Sequence, residues 1–214
     1  MRSALRWCSS LILMFALLTL FVMKPSVVTR LDERIGRRHP PHLTGIRKTV
    51  VLLLDDIGLR GFSATVLLVA AVLIALRFKS WRPLNLSFLS LVGLNVIVGS
   101  LKIAFGRAKP RLGADRLHFS SVGSYPSGHS ANAILTWGLL AYLIYHYTHR
   151  AMGQARILSS IVGVATLVVC IVSLYRNTHW LSDLIGGVLI GGAILVFVIA
   201  IDRFVPSSKQ PVQP

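Results

Sequence analysis

"HWLSDLIGGVLIGGAILVFVIA", residues 179–200, joins a polar cluster directly to a long apolar run. About 20 mostly apolar residues suffice to cross the hydrocarbon layer of a bilayer as a helix. The stretch therefore predicts a membrane helix whose first turn carries Asp183. A carboxylate at the mouth of such a helix is costly and needs a reason. His179 lies four residues earlier, on the same helix face. A carboxylate in that position can hold one imidazole tautomer and leave the other ring nitrogen free as a nucleophile or base. The plainer alternative is an incidental pair at the membrane surface.

Working outward, the 214-residue chain is 54% hydrophobic and only 14% charged, which excludes an ordinary soluble domain. Six candidate spans follow from the apolar runs, roughly 7–23, 61–78, 84–105, 130–146, 157–175 and 183–201. The predicted fold class is all-α, a polytopic membrane bundle. Arg2 and Arg6 before Leu11–Met23 resemble the start of a signal peptide, but no small-residue cleavage pattern follows, so a retained helix is expected. Trp7, Trp81, Tyr125 and Trp180 fall near predicted span ends, as interfacial aromatics do. Gly187 and Gly191 have the small-xxx-small spacing of closely packed membrane helices.

The formal charge is +16, but the lysines and arginines lie in the connections between spans. Anionic lipid headgroups are thus the expected partners, and nucleic acid is not. Cys8 and Cys170 fall within or beside spans and imply no disulfide framework. His39 and His42 are too few for a metal site and read as a polar loop, while the basic stretch 30–48 suits an interfacial segment. Asp55 and Asp56 mark the interface before the second span, as a solvated pair or as partners of a neighbouring basic loop. The side of the membrane that holds 24–48, 102–116 and Arg176 is the more basic. A positive-inside count places that side in the cytoplasm, unless its cations serve a phosphate site.

That same side collects the chemistry. "LKIAFGRAKPRL", residues 101–112, offers Lys102, Arg107, Lys109 and Arg111, which fit either headgroup contact or an anion site. In "YPSGHSAN", residues 125–132, Ser127 can cap the fourth span and Gly128 lets its backbone approach a ligand closely. Free amides and the positive dipole end at such a helix start favour an anion, and His129 stands in the first turn. Alternation of the spans places all three polar segments at one membrane face. Cations and amides to bind a phosphate, a histidine to attack it and a second to protonate the leaving oxygen are parts sufficient for phosphoryl transfer. No metal is required of such a set, since the basic residues can neutralise the developing charge.

This pattern resembles the type 2 phosphatidic acid phosphatase (PAP2) superfamily, whose motifs read K-x6-R-P, P-S-G-H and S-R-x5-H-x3-D. The chain offers Lys102-x6-Lys109-Pro110, an intact Pro126-Ser127-Gly128-His129 and His179-x3-Asp183. The resemblance covers about residues 55–200 and implies a six-helix bundle with its site facing the periplasm or exterior of a bacterial inner membrane. It further implies His179 as nucleophile, Asp183 as its orienting partner and His129 as general acid. Lys102, Lys109, Ser127 and Gly128 would bind the phosphoryl group, with no cofactor and no metal. The substrate would be a lipid phosphate or diphosphate such as undecaprenyl diphosphate, phosphatidylglycerophosphate, phosphatidate or lipid A. Lipid-to-lipid phosphoryl transfer, or lipid binding without hydrolysis, are the rival readings.

Two positions depart from the motifs. Lys109 replaces an arginine and loses the planar fork that grips two phosphate oxygens, and Arg107 and Arg111 flank it as stand-ins. Ser173 stands where the third motif has arginine, which leaves Arg176 as the expected substitute if residues 174–178 form a loop. The predicted organisation is an N-terminal helix and basic connection over 1–54, a membrane core over 55–203 and a disordered tail over 204–214.

Overall fold

The computed structural model describes residues 2–36, 42–110, 123–148 and 152–205. His39, Arg111, Arg116 and the tail from 206 onward lie outside the described residues. Eight helices follow one another among the described residues: α1 (Arg2–Val22), α2 (Val27–Gly36), α3 (Gly45–Asp56), α4 (Arg60–Arg77), α5 (Arg82–Phe105), α6 (Gly128–Tyr147), α7 (Met152–Tyr175) and α8 (Leu181–Phe204). Of these, α1, α4, α5, α7 and α8 are long and apolar enough to cross a membrane.

The remaining predicted span, 130–146, falls on α6, which is the centre of the bundle and carries several buried polar side chains. It packs against α4, α5, α7 and α8, while α1 lies along α8. Its inward polar side chains Ser130, Asn132 and Thr136 are buried and matched by hydrogen bonds, as a low-dielectric interior demands. Asn132 Nδ2 donates to the Gly58 carbonyl at 3.2 Å and also to Ser63, and Thr136 Oγ1 donates to Asn132 Oδ1 at 3.1 Å. Trp137 Nε1 donates to the Ile57 carbonyl at 2.9 Å. These bonds pin the turn between α3 and α4 onto the central helix. Large aliphatic residues face outward instead, among them Leu73, Leu89, Val96, Ile161 and Val164. An outward apolar face around a small-residue and polar interior is the arrangement a lipid solvent favours.

Gly187 and Gly191 do bring α8 close to α6. A Cβ on Gly187 would meet Ser130 Oγ and the Ser127 carbonyl, and one on Gly191 would lie 2.6 Å from the Ala131 carbonyl oxygen. Among the described residues of the basic connection after α1, Val27–Gly36 and Gly45–Asp56 form the helices α2 and α3. At the end of the bundle away from those glycines, Arg82 Nε donates to Asp202 Oδ1 at 2.6 Å and Tyr142 to Asp202 Oδ2 at 2.6 Å. One carboxylate thereby fastens α5, α6 and α8. Phe204, placed in the tail by the sequence reading, still belongs to α8.

The close crossing makes a test. Gly191→Ala inserts a methyl against backbone, which cannot yield cheaply, and costs about 1–3 kcal/mol. Gly93→Ala, in α5, meets nothing within 4 Å and gains helix propensity. Thermal unfolding in detergent should show a lower Tm for the first and no loss for the second; equal Tm values would refute the close α6–α8 contact.

Candidate active site

The site begins at the N-terminus of α8. Trp180 is the N-cap, and its amide donates to Asp183 Oδ2 at 3.1 Å. A carboxylate at the third helical position satisfies an otherwise orphaned amide and complements the helix dipole. Asp183 is fully buried, and its Oδ1 accepts from Arg107 Nη1 at 2.7 Å. Across the same turn, His179 Nδ1 faces Asp183 Oδ2 at 3.5 Å, longer than a good hydrogen bond. His179 is buried, and its Nδ1 makes no hydrogen bond among the described residues.

Arg107 binds carboxylates rather than standing open to a phosphate. Nη1 also donates to Ser182 Oγ at 2.7 Å, Nη2 donates to Asp32 Oδ2 at 2.8 Å, and the guanidinium stacks over Trp180 at 5.3 Å. The guanidinium expected beside the phosphate is thus found in ion pairs with Asp32 and Asp183. Asp32, on α2, also accepts from the Ser182 amide at 3.0 Å and from the Ser182 hydroxyl. Sequence reasoning missed Asp32. The only signal was a carboxylate at Asp32 inside an otherwise basic segment, beside Glu33. The boundary expected between 54 and 55 would separate Asp32 from the network it completes.

The P-S-G-H segment docks on this turn. The Ser127 amide donates to the Asp183 carbonyl at 2.8 Å, and Ser130 Oγ donates to the Leu184 carbonyl at 2.9 Å. Ser127 is the N-cap of α6 and accepts from the Ser130 amide with its hydroxyl, so its side chain is buried in capping. That leaves the Gly128 and His129 amides, among the described residues, at the open end of α6. Tyr125 anchors the segment: its ring stacks on Phe15 at 5.7 Å, and its hydroxyl bonds Thr19 at 2.7 Å.

His129 and His179 face each other with ring centroids 5.9 Å apart. Behind His129 stands Asp55, whose Oδ2 lies 4.0 Å from Nε2 and also takes the Arg176 guanidinium. The α7 helix ends at Tyr175, and Asn177 adopts a positive φ of 53°, so residues after 175 do turn. That turn carries Arg176 to Asp55. Ser173 remains inside α7, buried, with its hydroxyl unpartnered among the described residues. At the interfacial end of α6, burial holds the His129 imidazole below its ordinary pKa, against the pull of Asp55. Lys102 Nζ donates to the Gly123 carbonyl at 3.0 Å and interacts electrostatically with Lys109 and Asp183. The three polar segments therefore meet at one end of the bundle, where Lys102 interacts electrostatically with both Asp183 and His129.

Comparison with known proteins gives the family and the fold. The profile of the PAP2 superfamily matches residues 83–205. Phosphatidylglycerophosphatase B of Bacillus subtilis (strain 168) is 29% identical over 110 residues, which cover 51% of this chain and 53% of that protein. The alignment thus spans about half the length of that relative. The crystal structure of a transmembrane PAP2 type phosphatidylglycerolphosphate phosphatase from Bacillus subtilis superposes with a TM-score of 0.81. That likeness, at 22% identity, covers 94% of this chain and 98% of the other, and it shows a shared membrane-helical fold. With the three polar segments assembled at one end of the helices and the profile covering more than half of the sequence, the chain belongs to the PAP2 superfamily.

Proposed function

We propose that this protein is a multi-pass membrane phosphatase that removes a phosphoryl group from a lipid phosphate or diphosphate through a phosphohistidine. The observation that carries the reading is the His179–Asp183 pair facing His129 at the N-terminus of α6. In the first step His179 Nε2 attacks phosphorus while the bond from phosphorus to the lipid oxygen breaks. His129 gives that oxygen its proton, and Asp183 steadies the imidazolium through Nδ1. In the second step water attacks phosphorus, His129 takes its proton, and the bond to Nε2 breaks to release inorganic phosphate. Lys102, Lys109 and the Gly128 and His129 amides meet the charge on the phosphoryl oxygens, so the reaction needs no metal.

Membrane geometry supports the substrate class. The site opens at the end of helices whose outer faces are apolar, so an amphiphile can present its phosphate while its tail stays in lipid. Within the superfamily, the name of the Bacillus relative puts phosphatidylglycerophosphate first in the panel to be assayed. The reading places the protein in a bacterial inner membrane with the site toward the periplasm or exterior.

Three outcomes test the reading. His179→Ala should abolish turnover of a lipid-phosphate panel and remove the acid-labile, alkali-stable phosphoryl label that rapid quench traps on wild type. Retained turnover would sink the mechanism. His129→Ala should lower kcat by roughly 10²- to 10⁴-fold. Label that appears on an added lipid acceptor, with little free phosphate, would favour transfer over hydrolysis.

The pH profile gives a second test. His129 donates only when protonated, and burial lowers its pKa, so activity falls as pH rises through a value below that of an ordinary histidine. Asp55 favours the protonated form, hence Asp55→Asn should move this alkaline limb to lower pH. An unmoved limb would show that His129 is not the acid. A third test concerns positioning: Asp32→Asn loosens Arg107 and Asp183 and should lower kcat roughly 10- to 100-fold. Affinity for inorganic phosphate should stay unchanged; an equal loss in both would make Asp32 a general structural support.

A further inference from the structure

The arginines near the site divide by partner. Arg107 is held by Asp32 and Asp183, and Arg176 by Asp55. Arg60 is different. It begins α4, and among the described residues its guanidinium makes no hydrogen bond or ion pair. It leans instead over the backbone of Gly128: a Cβ there would lie 3.1 Å from Arg60 Nη2 and 3.9 Å from its Nε. Arg60 is exposed on its outer side and close enough to the Lys102 ammonium for the two to repel.

That location is unfavourable for a cation with nothing to bind. Arg60 occupies the first turn of α4, at the positive end of that helix dipole, and α4 has no acidic residue in its first turn. It also faces the positive end of α6 and the Lys102 charge. Three positive features converge there. The placement is enforced by the polar centre of the bundle, since Trp137 and Asn132 hold the Ile57 and Gly58 carbonyls just ahead of Arg60. Gly58 itself fits against the His129 carbonyl, 3.3 Å from where its Cβ would be.

We propose that Arg60 is a phosphate-binding residue of this site, closing over the anion seated on the Gly128 and His129 amides. Its planar fork supplies the two parallel donors to phosphoryl oxygens that Lys109 lacks and that Ser173 and Arg176 do not provide. This assignment rests on the reading of the site as a phosphate site. Gly128 has a second purpose here, because a side chain at 128 would stand between the guanidinium and the helix terminus.

The test uses full-length protein in detergent and inorganic phosphate as the probe, with binding followed by intrinsic tryptophan fluorescence. Arg60→Ala should weaken phosphate binding roughly 10- to 100-fold, the worth of one or two charge-assisted hydrogen bonds. Arg60→Lys should recover part of the loss, because charge returns without the fork. With a turned-over lipid phosphate, Arg60→Ala should lower kcat/KM by a similar factor without lowering Tm, as the side chain is exposed and its charge is unfavourably placed without a ligand. Phosphate affinity and kcat/KM within twofold of wild type would overturn the assignment of Arg60 while leaving the phosphatase reading standing. If wild type neither binds phosphate nor turns over any lipid phosphate, the reading of the site falls, and the role of Arg60 with it. His179→Ala separates the two, since it should lose turnover yet keep phosphate affinity.

Discussion

Everything at the reactive end of this bundle depends on one guanidinium. Arg107 stands between Asp32 and Asp183, bonds the Ser182 hydroxyl as well, and rests its face on Trp180. Three chain segments far apart in sequence are thereby tied at one point: α2, the turn after α5 and the first turn of α8. Two buried carboxylates that close would repel strongly without a cation between them. With a planar cation between them, each negative charge has a geometrically fixed partner. Removal of one member of such a group leaves a buried charge uncompensated and is costly. The rigidity matters because Asp183 also faces His179, so whatever orients Asp183 orients the proposed nucleophile.

The second constraint is the polar central helix. The α6 helix carries Ser130, Asn132 and Thr136 into the interior, where lipid offers no hydrogen bonds. Each finds a partner in protein: Ser130 on α8, Asn132 on the turn between α3 and α4, and Thr136 on Asn132 itself. Satisfying these side chains therefore places that turn, and the turn in turn places Asp55 behind His129 and Arg60 before Gly128. Burial and function are coupled here: polar residues that look expensive in a membrane helix are the ones that register the site. The glycines of α8 complete the coupling by letting its backbone meet that of α6.

Much of this was legible beforehand. The apolar runs marked membrane helices because a lipid-facing helix must be apolar around most of its circumference. The spacing of His179 and Asp183 put them on one helix face, and Ser127 before an apolar run announced a helix start, as found at α6. The grouping of three polar segments at one membrane face followed from counting crossings. The α2 and α3 helices were harder to see, since short amphipathic helices in a basic connection lack the long apolar signal of a span. The carboxylate partners of Arg107 were not legible, because a cation beside a phosphate motif gives no sign of a carboxylate brought to it from a distant segment.

Sequence alone determined what local chemistry can determine: helix-forming runs, caps, the i and i+4 pair and the collection of cations at one face. Tertiary structure decided how those cations are shared. Arg107, Arg176 and Arg60 look alike in a sequence, with the same charge and reach. The packing of α2 against α8 brings Asp32 to the first, and the end of α3 brings Asp55 to the second. The third is left facing the amides of α6. Such partners are set by contacts between residues many tens of positions apart, and an ion pair carries no sequence period to announce it.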